Sequence, residues 1–209
     1  MDKGLNQLAK VVLEMADLAV KTVEASISAY LEGGSVEVQV RAWSDTLRHM
    51  HNEVEEISIG LIARQQPVAI DLRTIMSSIK IAYDLSRFGR YAYDISNVLE
   101  LVNGFNKGNA EDKFVKDMSD KVLEMLKFTI KIFKTKNFDK VKVISTMENE
   151  VDLMYKDHLR SMSKRQPKNP GLFISEILVT RHLERIADHA CYIVEEAHYM
   201  VHGEILHLR

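Results

Sequence analysis

Residues 178–197, LVTRHLERIADHACYIVEEA, contain the pattern that decides the fold. Their apolar residues are spaced 4, 3, 4, 3 and 4 apart, and they are Val179, Leu183, Ile186, Ala190, Ile193 and Ala197. This period is typical of an amphipathic helix that packs at a shallow angle in a bundle. Glu184 and Asp188 lie beside this apolar seam, one helical turn apart, where they either face water or hold a positive group.

The same seam occurs a second time in the chain. The residues 98 positions earlier repeat the spacing, and they are Ile81, Leu85, Phe88, Ala92, Ile95 and Leu99. An offset of 97 likewise aligns HNEVEEI at 51–57 with ENEVDLM at 148–154. Internal similarity at a nearly constant offset indicates a duplication. We therefore interpret the chain as two copies of one three-helix unit.

The three prolines and most of the glycines divide the chain into six long helical segments. The predicted helices cover residues 3–32, 36–65, 69–103, 112–135, 138–164 and 172–202. Asp2, Ser35 and Asn137 are the expected N-caps of the first, second and fifth helices. The predicted fold is all-α, with two tandem antiparallel three-helix bundles at residues 1–105 and 106–209. The pattern does not decide whether the bundles share one core.

The composition excludes several classes of protein. The 209 residues carry a formal net charge of −2, which gives no indication of nucleic-acid binding. The single cysteine, Cys191, rules out an internal disulfide and favours a reducing compartment, so we expect a cytoplasmic protein. Charged residues interrupt the apolar N-terminus, and no segment reaches the roughly 18–20 apolar residues of a membrane span. We expect any contact with a membrane to be made through a partner.

Two pairs of carboxylates make a candidate metal site. Glu184 and Asp188 in the sixth predicted helix, and Glu148 and Asp152 in the fifth, are each four residues apart beside a seam. If these helices pack antiparallel, the four carboxylates converge. Clustered oxygen ligands suit hard or borderline cations such as iron, manganese, magnesium or calcium.

The alternative interpretation is that these acids form ordinary ion pairs. Arg181, Arg185 and Lys156 each lie within about one helical turn of one of them. Structural charge pairs far outnumber metal sites in proteins. The sequence alone leaves both interpretations open.

The first repeat is a weaker candidate for metal binding. The positions equivalent to the four acids are His51, Glu55, Ser86 and Arg90. Only His51 and Glu55 can ligate a metal, and Arg90 is placed to pair with Glu55 where a cation would otherwise lie. We therefore expect any metal in the second repeat.

Four segments of the chain carry a resemblance to a known family. They are IARQQPVAIDLRTIMSSIKIAYDL at 62–85, SRFGRYAYDI at 86–95, LERIADHACYI at 183–193 and HYMVHGEILH at 198–207. They resemble the two signature regions and the usual ending of the PhoU family, in which an ARQQP-type turn precedes a helix that reads roughly DLERIGDxAxxI. The similarity spans nearly the whole chain.

The resemblance implies two three-helix bundles, a homodimer and a cytoplasmic regulator that is not an enzyme. PhoU-like proteins act with the ATPase of the Pst phosphate transporter and with a sensor kinase. They are negative regulators, which keep phosphate-starvation responses off when phosphate is plentiful. The ARQQP turn, with Arg64, Gln65 and Gln66, is expected either to end the second helix or to contact a partner.

Family members also carry ExxxD motifs that in some cases bind clusters of iron or other metals. The four acids of the second repeat match these motifs, so the resemblance implies iron, manganese, zinc or magnesium as a cofactor. Ser86 and Arg90 depart from the pattern, which leaves open a divergent PhoU-domain protein with another client. Two further hypotheses are a metalloenzyme that uses the second-repeat acids to activate water and a DNA-binding protein, for which the sequence has no motif.

Overall fold

A computed structural model describes residues 1–102 and 113–208, and every regular element within them is an α-helix. The helices are α1 (Asp2–Glu32), α2 (Glu37–Gln65), α3 (Ile70–Leu101), α4 (Lys113–Thr135), α5 (Val141–Met162) and α6 (Pro170–His202). The predicted all-α class is confirmed. None of these described helices has an 18-residue stretch that is apolar enough to cross a membrane.

The predicted N-caps are wrong, although the helices themselves are present. Asp2 is already the first helical residue of α1, and Val36 rather than Ser35 precedes α2. Asn137 lies in the turn before α5, where its side chain accepts the N–H of Asp139 at 2.9 Å. A short polar side chain that bonds its own turn in this way competes with its use as a helix cap.

Both predicted apolar seams are buried in the core. The seam residues of α3 from Ile81 to Ile95 are fully buried, and the six seam residues of α6 are at most 1% exposed. The side chain of Leu99, the last residue of the first seam, lies outside the described part of the structure. Full burial of one large apolar side chain contributes about 1.5–3 kcal/mol. The two seams are therefore a main source of stability.

The two repeats share one core. Buried apolar side chains from all six helices form one continuous cluster. α3 packs on α1, α2 and α6, and α6 packs on α3, α4 and α5, so these two helices join the repeats. At the surface, Lys127 pairs with Glu24 at 2.7 Å and Lys134 pairs with Asp17 where α4 contacts α1. The predicted boundary between residues 105 and 106 lies outside the described residues.

α3 and α6 run antiparallel, and contacts between polar or aromatic side chains of the two helices recur every seven residues. Each contact lies seven residues later in α3 and seven residues earlier in α6 than the one before it. Because seven residues make about two helical turns, the contacts stay on one side of each helix. The pairs are Ser77 with Glu196 (Oγ to Oε2, 3.2 Å), Asp84 with His189 (Oδ1 to Nδ1, 2.7 Å) and Tyr91 with His182 (ring centroids 5.9 Å apart).

The duplication relates two of these contacts to each other. Asp84 and His182 occupy equivalent positions 98 residues apart, and so do Tyr91 and His189. The Asp84–His189 and Tyr91–His182 pairs therefore join equivalent positions, with the roles of the two repeats exchanged. Between them, the Tyr91 hydroxyl lies 3.3 Å from His189 Nε2. The repeats thus pack about a pseudo-twofold axis at the middle of α3 and α6.

These central polar groups are largely removed from water. Asp84 is 5% exposed, and its burial raises the pKa of the carboxyl, although the hydrogen bond from His189 opposes this shift. Burial also lowers the pKa of His182. Because a buried carboxylate without a partner is costly, the Asp84–His189 contact favours a single register of α3 against α6.

Gly89 permits a close approach of α2 to α3. A Cβ atom at this position would lie 2.7 Å from Leu47 Cδ1 and 3.2 Å from the backbone Cα of Ser44. Backbone atoms in a packed interior have little room to move away. Gly60 of α2 differs, because a Cβ there would come no closer than 3.8 Å to any atom, the nearest being Arg64 Nη2.

We predict opposite effects of alanine at these two glycines. Gly89→Ala is expected to lower the free energy of unfolding by about 1–3 kcal/mol, because the methyl group overpacks the α2–α3 contact. Gly60→Ala is expected to raise it by up to about 1 kcal/mol, because alanine favours the helix. Urea denaturation followed by circular dichroism measures both values. A Gly89→Ala protein as stable as the wild type would contradict the close approach.

Candidate metal-binding acids and the surface around the α2–α3 turn

The four acids of the second repeat lie on α5 and α6, two helices that pack against each other. Glu148, Glu184 and Asp188 are buried, with exposed fractions of 6%, 8% and 3%, and Asp152 is half-buried. The sequence placed these residues beside the seams but did not show that they are buried. Burial of an ionised carboxylate costs free energy unless a positive group or hydrogen bonds compensate its charge.

Basic side chains pair with three of these acids. Each base is part of the same helix as its acid and lies three or four residues away. The bases are 38–54% exposed, so each pair joins a buried or half-buried acid to a partly solvated base. The pairs are Arg181 with Glu184 (Nη1 to both carboxylate oxygens, 2.9 Å), Arg185 with Asp188 (Nη1 to Oδ2, 3.3 Å) and Lys156 with Asp152.

As these side chains stand, they do not fit a metal ion. Within residues 1–102 and 113–208, no three His, Cys, Asp or Glu side chains are grouped so that they could hold one. A cation at Glu184 and Asp188 would have to displace the guanidinium groups of Arg181 and Arg185. Metal binding by the four acids therefore stays a prediction from the sequence pattern and the resemblance.

In the first repeat, Arg90 does not pair with Glu55. Arg90 pairs instead with Asp94, at 3.1 Å, whereas Glu55 lies 3.9 Å from His51 Nε2. The expected Arg90–Glu55 pair is wrong because a carboxylate at i+4 on the same helix is the nearer partner. The hydroxyl of Ser86 donates to a carbonyl of its own helix at 2.7 Å.

The ARQQP turn joins α2 to α3 at the surface of the protein. α2 ends at Gln65, two residues before Pro67, as expected for a segment that stops the helix. Arg64, Gln65 and Gln66 are all exposed. Gln66 and Ala69 have φ angles of 45° and 44°, a region that residues with a Cβ atom rarely adopt. The side chains of the turn are therefore exposed, and its backbone adopts an uncommon conformation at two residues.

Exposed apolar side chains lie within about two helical turns of this segment. Ile59, Val68, Ile70 and Met76 are 65%, 75%, 64% and 43% exposed, and we refer to these four residues as the turn patch. Because α2 and α3 form an antiparallel hairpin, all four lie at the same end of it. The sequence pattern alone did not predict this patch, although none of its four residues belongs to a predicted seam, which could have indicated that they are exposed.

The metal prediction has a direct test by elemental analysis. If the four acids are metal ligands, the purified wild-type protein should retain iron, manganese, zinc or magnesium, and a Glu184→Ala/Asp188→Ala variant should lose it. A Glu53→Ala/Glu56→Ala variant, which removes two exposed acids of α2, serves as the control. Absence of metal from the wild type, or equal metal in all three proteins, would contradict metal binding by the four acids and leave the ion pairs as their role.

Comparison with known proteins agrees with the fold and with the internal duplication. The sequence profile of the PhoU domain matches residues 12–99 and again residues 115–197. The phosphate-specific transport system accessory protein PhoU homolog of Clostridium acetobutylicum is 29% identical, over 97% of this chain and 94% of that protein.

Two crystal structures share the architecture. PhoU from Pseudomonas aeruginosa has a TM-score of 0.90 and 27% identity, over 97% of this chain and 99% of that one. The phosphate transport system regulatory protein PhoU from Streptococcus pneumoniae is 20% identical and shares the fold, with a TM-score of 0.87 over 99% of each chain. Since the PhoU domain matches once in each repeat and together the matches cover most of the sequence, this chain belongs to the PhoU family.

Proposed function

We propose that this protein is a regulatory accessory protein of phosphate transport and that it acts through protein–protein contacts. The proposal is supported by the names of its relatives, which describe accessory and regulatory proteins of phosphate transport and not enzymes. The proposed client is the ATPase of a phosphate transporter. By binding this ATPase or a sensor kinase, the protein would restrain the phosphate-starvation response. This role places it in the cytoplasm, as a dimer, with access to the membrane only through its client.

The observation that carries this proposal is the turn patch. Apolar side chains exposed together at one end of a hairpin are a common feature of protein-binding surfaces. Arg64, Gln65 and Gln66 are exposed at the same end of the hairpin and can supply polar edges to a binding surface. The proposed binding surface thus has an apolar centre and polar edges, as partner surfaces commonly do.

The second repeat has only part of this combination, because Met76 corresponds to Ile174, which is 48% exposed, whereas two other positions of the patch differ. In the alignment of the two halves, Ile59 corresponds to Lys156 and Ile70 corresponds to Lys168, and both lysines are exposed. Two helical repeats of similar fold therefore present different surfaces at corresponding turns. This difference favours binding of the client by the first repeat and provides a control within the same chain.

We predict that Ile59→Asp/Ile70→Asp reduces recovery of the transporter ATPase at least about tenfold. Charges in the centre of an apolar interface remove contacts that are often worth 2 kcal/mol or more. The measurement is co-purification of the ATPase with the tagged protein from phosphate-replete cells, with circular dichroism to verify the fold.

The control is Lys164→Glu/Lys168→Glu, which places two acids at exposed positions around the corresponding turn of the second repeat and leaves the Lys156–Asp152 pair intact. We expect this control to recover the ATPase as the wild type does. If the wild type recovers neither the ATPase nor a sensor kinase, the proposed function is wrong. If the Ile59→Asp/Ile70→Asp protein recovers as much client as the wild type, the turn patch is not the binding surface.

A further inference from the structure

A cavity of about 400 Å³ opens between α2, α3 and α6, beside the pseudo-twofold axis. It is distinct from the turn patch and from the four acids of the second repeat. Its lining combines aromatic rings with charged groups, and it includes His51, Glu55, Lys80, Tyr83, Asp84 and Tyr192.

Aromatic rings form much of the wall of this cavity. The ring of Tyr83 is centred 5.9 Å from that of His51 and 6.4 Å from that of His189, which in turn lies 5.5 Å from Tyr192. Tyr83 is 49% exposed, so its ring is accessible to a ligand. The faces of aromatic rings attract cations, and rings arranged around a cavity are a known means of binding them.

The charged groups at the cavity favour a positive ligand. Three carboxylates, those of Glu55, Asp84 and Glu196, lie at or next to it, and the ammonium group of Lys80 already bonds Glu196 at 2.7 Å. A second positive group, the guanidinium of Arg87, lies one turn from Tyr83 on α3 and bonds the Tyr91 hydroxyl at 3.0 Å. With the histidines neutral and the three carboxyls ionised, the negative groups at the cavity and its edge still outnumber the positive ones. Burial raises the pKa of the Asp84 carboxyl, although the hydrogen bond with His189 opposes this shift, and a cation beside Asp84 would favour its ionised form.

The second repeat has an arginine at the helix position that corresponds to Tyr83. Tyr83 of the first repeat is equivalent to Arg181, 98 residues further on. The guanidinium of Arg181 bonds Glu184 and is centred 5.6 Å from the ring of Tyr155. At this helix position the second repeat thus has its own arginine beside one acid and one aromatic ring, whereas the first repeat has a tyrosine that lines a cavity.

We propose that the α2–α3–α6 cavity binds a guanidinium group from outside the chain. The group is either part of a free small molecule or the side chain of an arginine in another protein. In the bound state it lies against the Tyr83 ring and bonds the carboxylates of Glu55 and Asp84, since a planar guanidinium is suited both to stacking and to carboxylate recognition. This proposal does not depend on the proposed role in phosphate transport.

The test is titration of the full chain with methylguanidinium, with N-acetyl-arginine amide and with an arginine-containing peptide, followed by NMR of the His and Tyr rings. We expect saturable binding that shifts the Tyr83 and His51 signals, with a Kd of roughly 1–10 mM for the small probes. Methylammonium should bind more weakly, because it cannot make paired bonds to a carboxylate. A peptide that binds more tightly than the small probes identifies a protein ligand, and equal binding identifies a small-molecule ligand.

Two half-exposed positions provide variants that are expected to fold. Glu55→Gln and Tyr83→Leu should each weaken binding of N-acetyl-arginine amide about tenfold, which is the usual scale for a lost charged hydrogen bond or cation–aromatic contact. Glu53→Gln, at an exposed acid of α2 that does not line the cavity, should bind as the wild type does. Absence of saturable binding to the wild type, unchanged binding by both variants, or a preference for inorganic phosphate over guanidinium would each overturn the proposal.

Discussion

The antiparallel packing of α3 on α6 is the contact on which the rest of the structure depends. It places a buried carboxylate, Asp84, against His189 within a core that is otherwise mostly apolar. A shift of either helix by one turn would leave that carboxylate buried without its partner, at a cost of about 1–3 kcal/mol or more. The polar pair therefore selects the register, while the apolar seams supply the stability. The same register determines where the cavity next to Asp84 opens.

Duplication gives the two repeats one fold but not one chemistry. Asp84 corresponds to His182 and Tyr83 corresponds to Arg181, so equivalent positions differ in charge and in hydrogen bonding. The seam positions, by contrast, are apolar in both repeats, and those whose side chains the structure describes are buried. We therefore expect binding sites at positions where the two repeats carry different residues. The positions at which both repeats are apolar are needed for packing of the core. The turn patch and the α2–α3–α6 cavity are both features of this kind.

The sequence predicted the parts of the structure that repeat with a helical period. The two seams identify the buried faces of α3 and α6 because their spacing is sustained over several turns. Helix starts were less predictable: Asn169, which caps α6 by accepting the Leu172 N–H, was not identified, whereas Ser35 was chosen in error. Residues beside a seam were also ambiguous. Glu184 and Asp84 are buried by the helices that pack against them. The sequence of one helix does not show which helices these are.

The central claim is that the two repeats form one cooperative unit through a shared core. The single tryptophan, Trp43, lies in α2 and reports on the first repeat, whereas far-ultraviolet circular dichroism reports on all of the helices. The most direct measurement is urea denaturation followed by both signals in the same sample. We predict coincident transitions with one midpoint, as expected for a single cooperative unit. Loss of the native Trp43 signal at a urea concentration where about half of the helical signal persists would contradict the shared core.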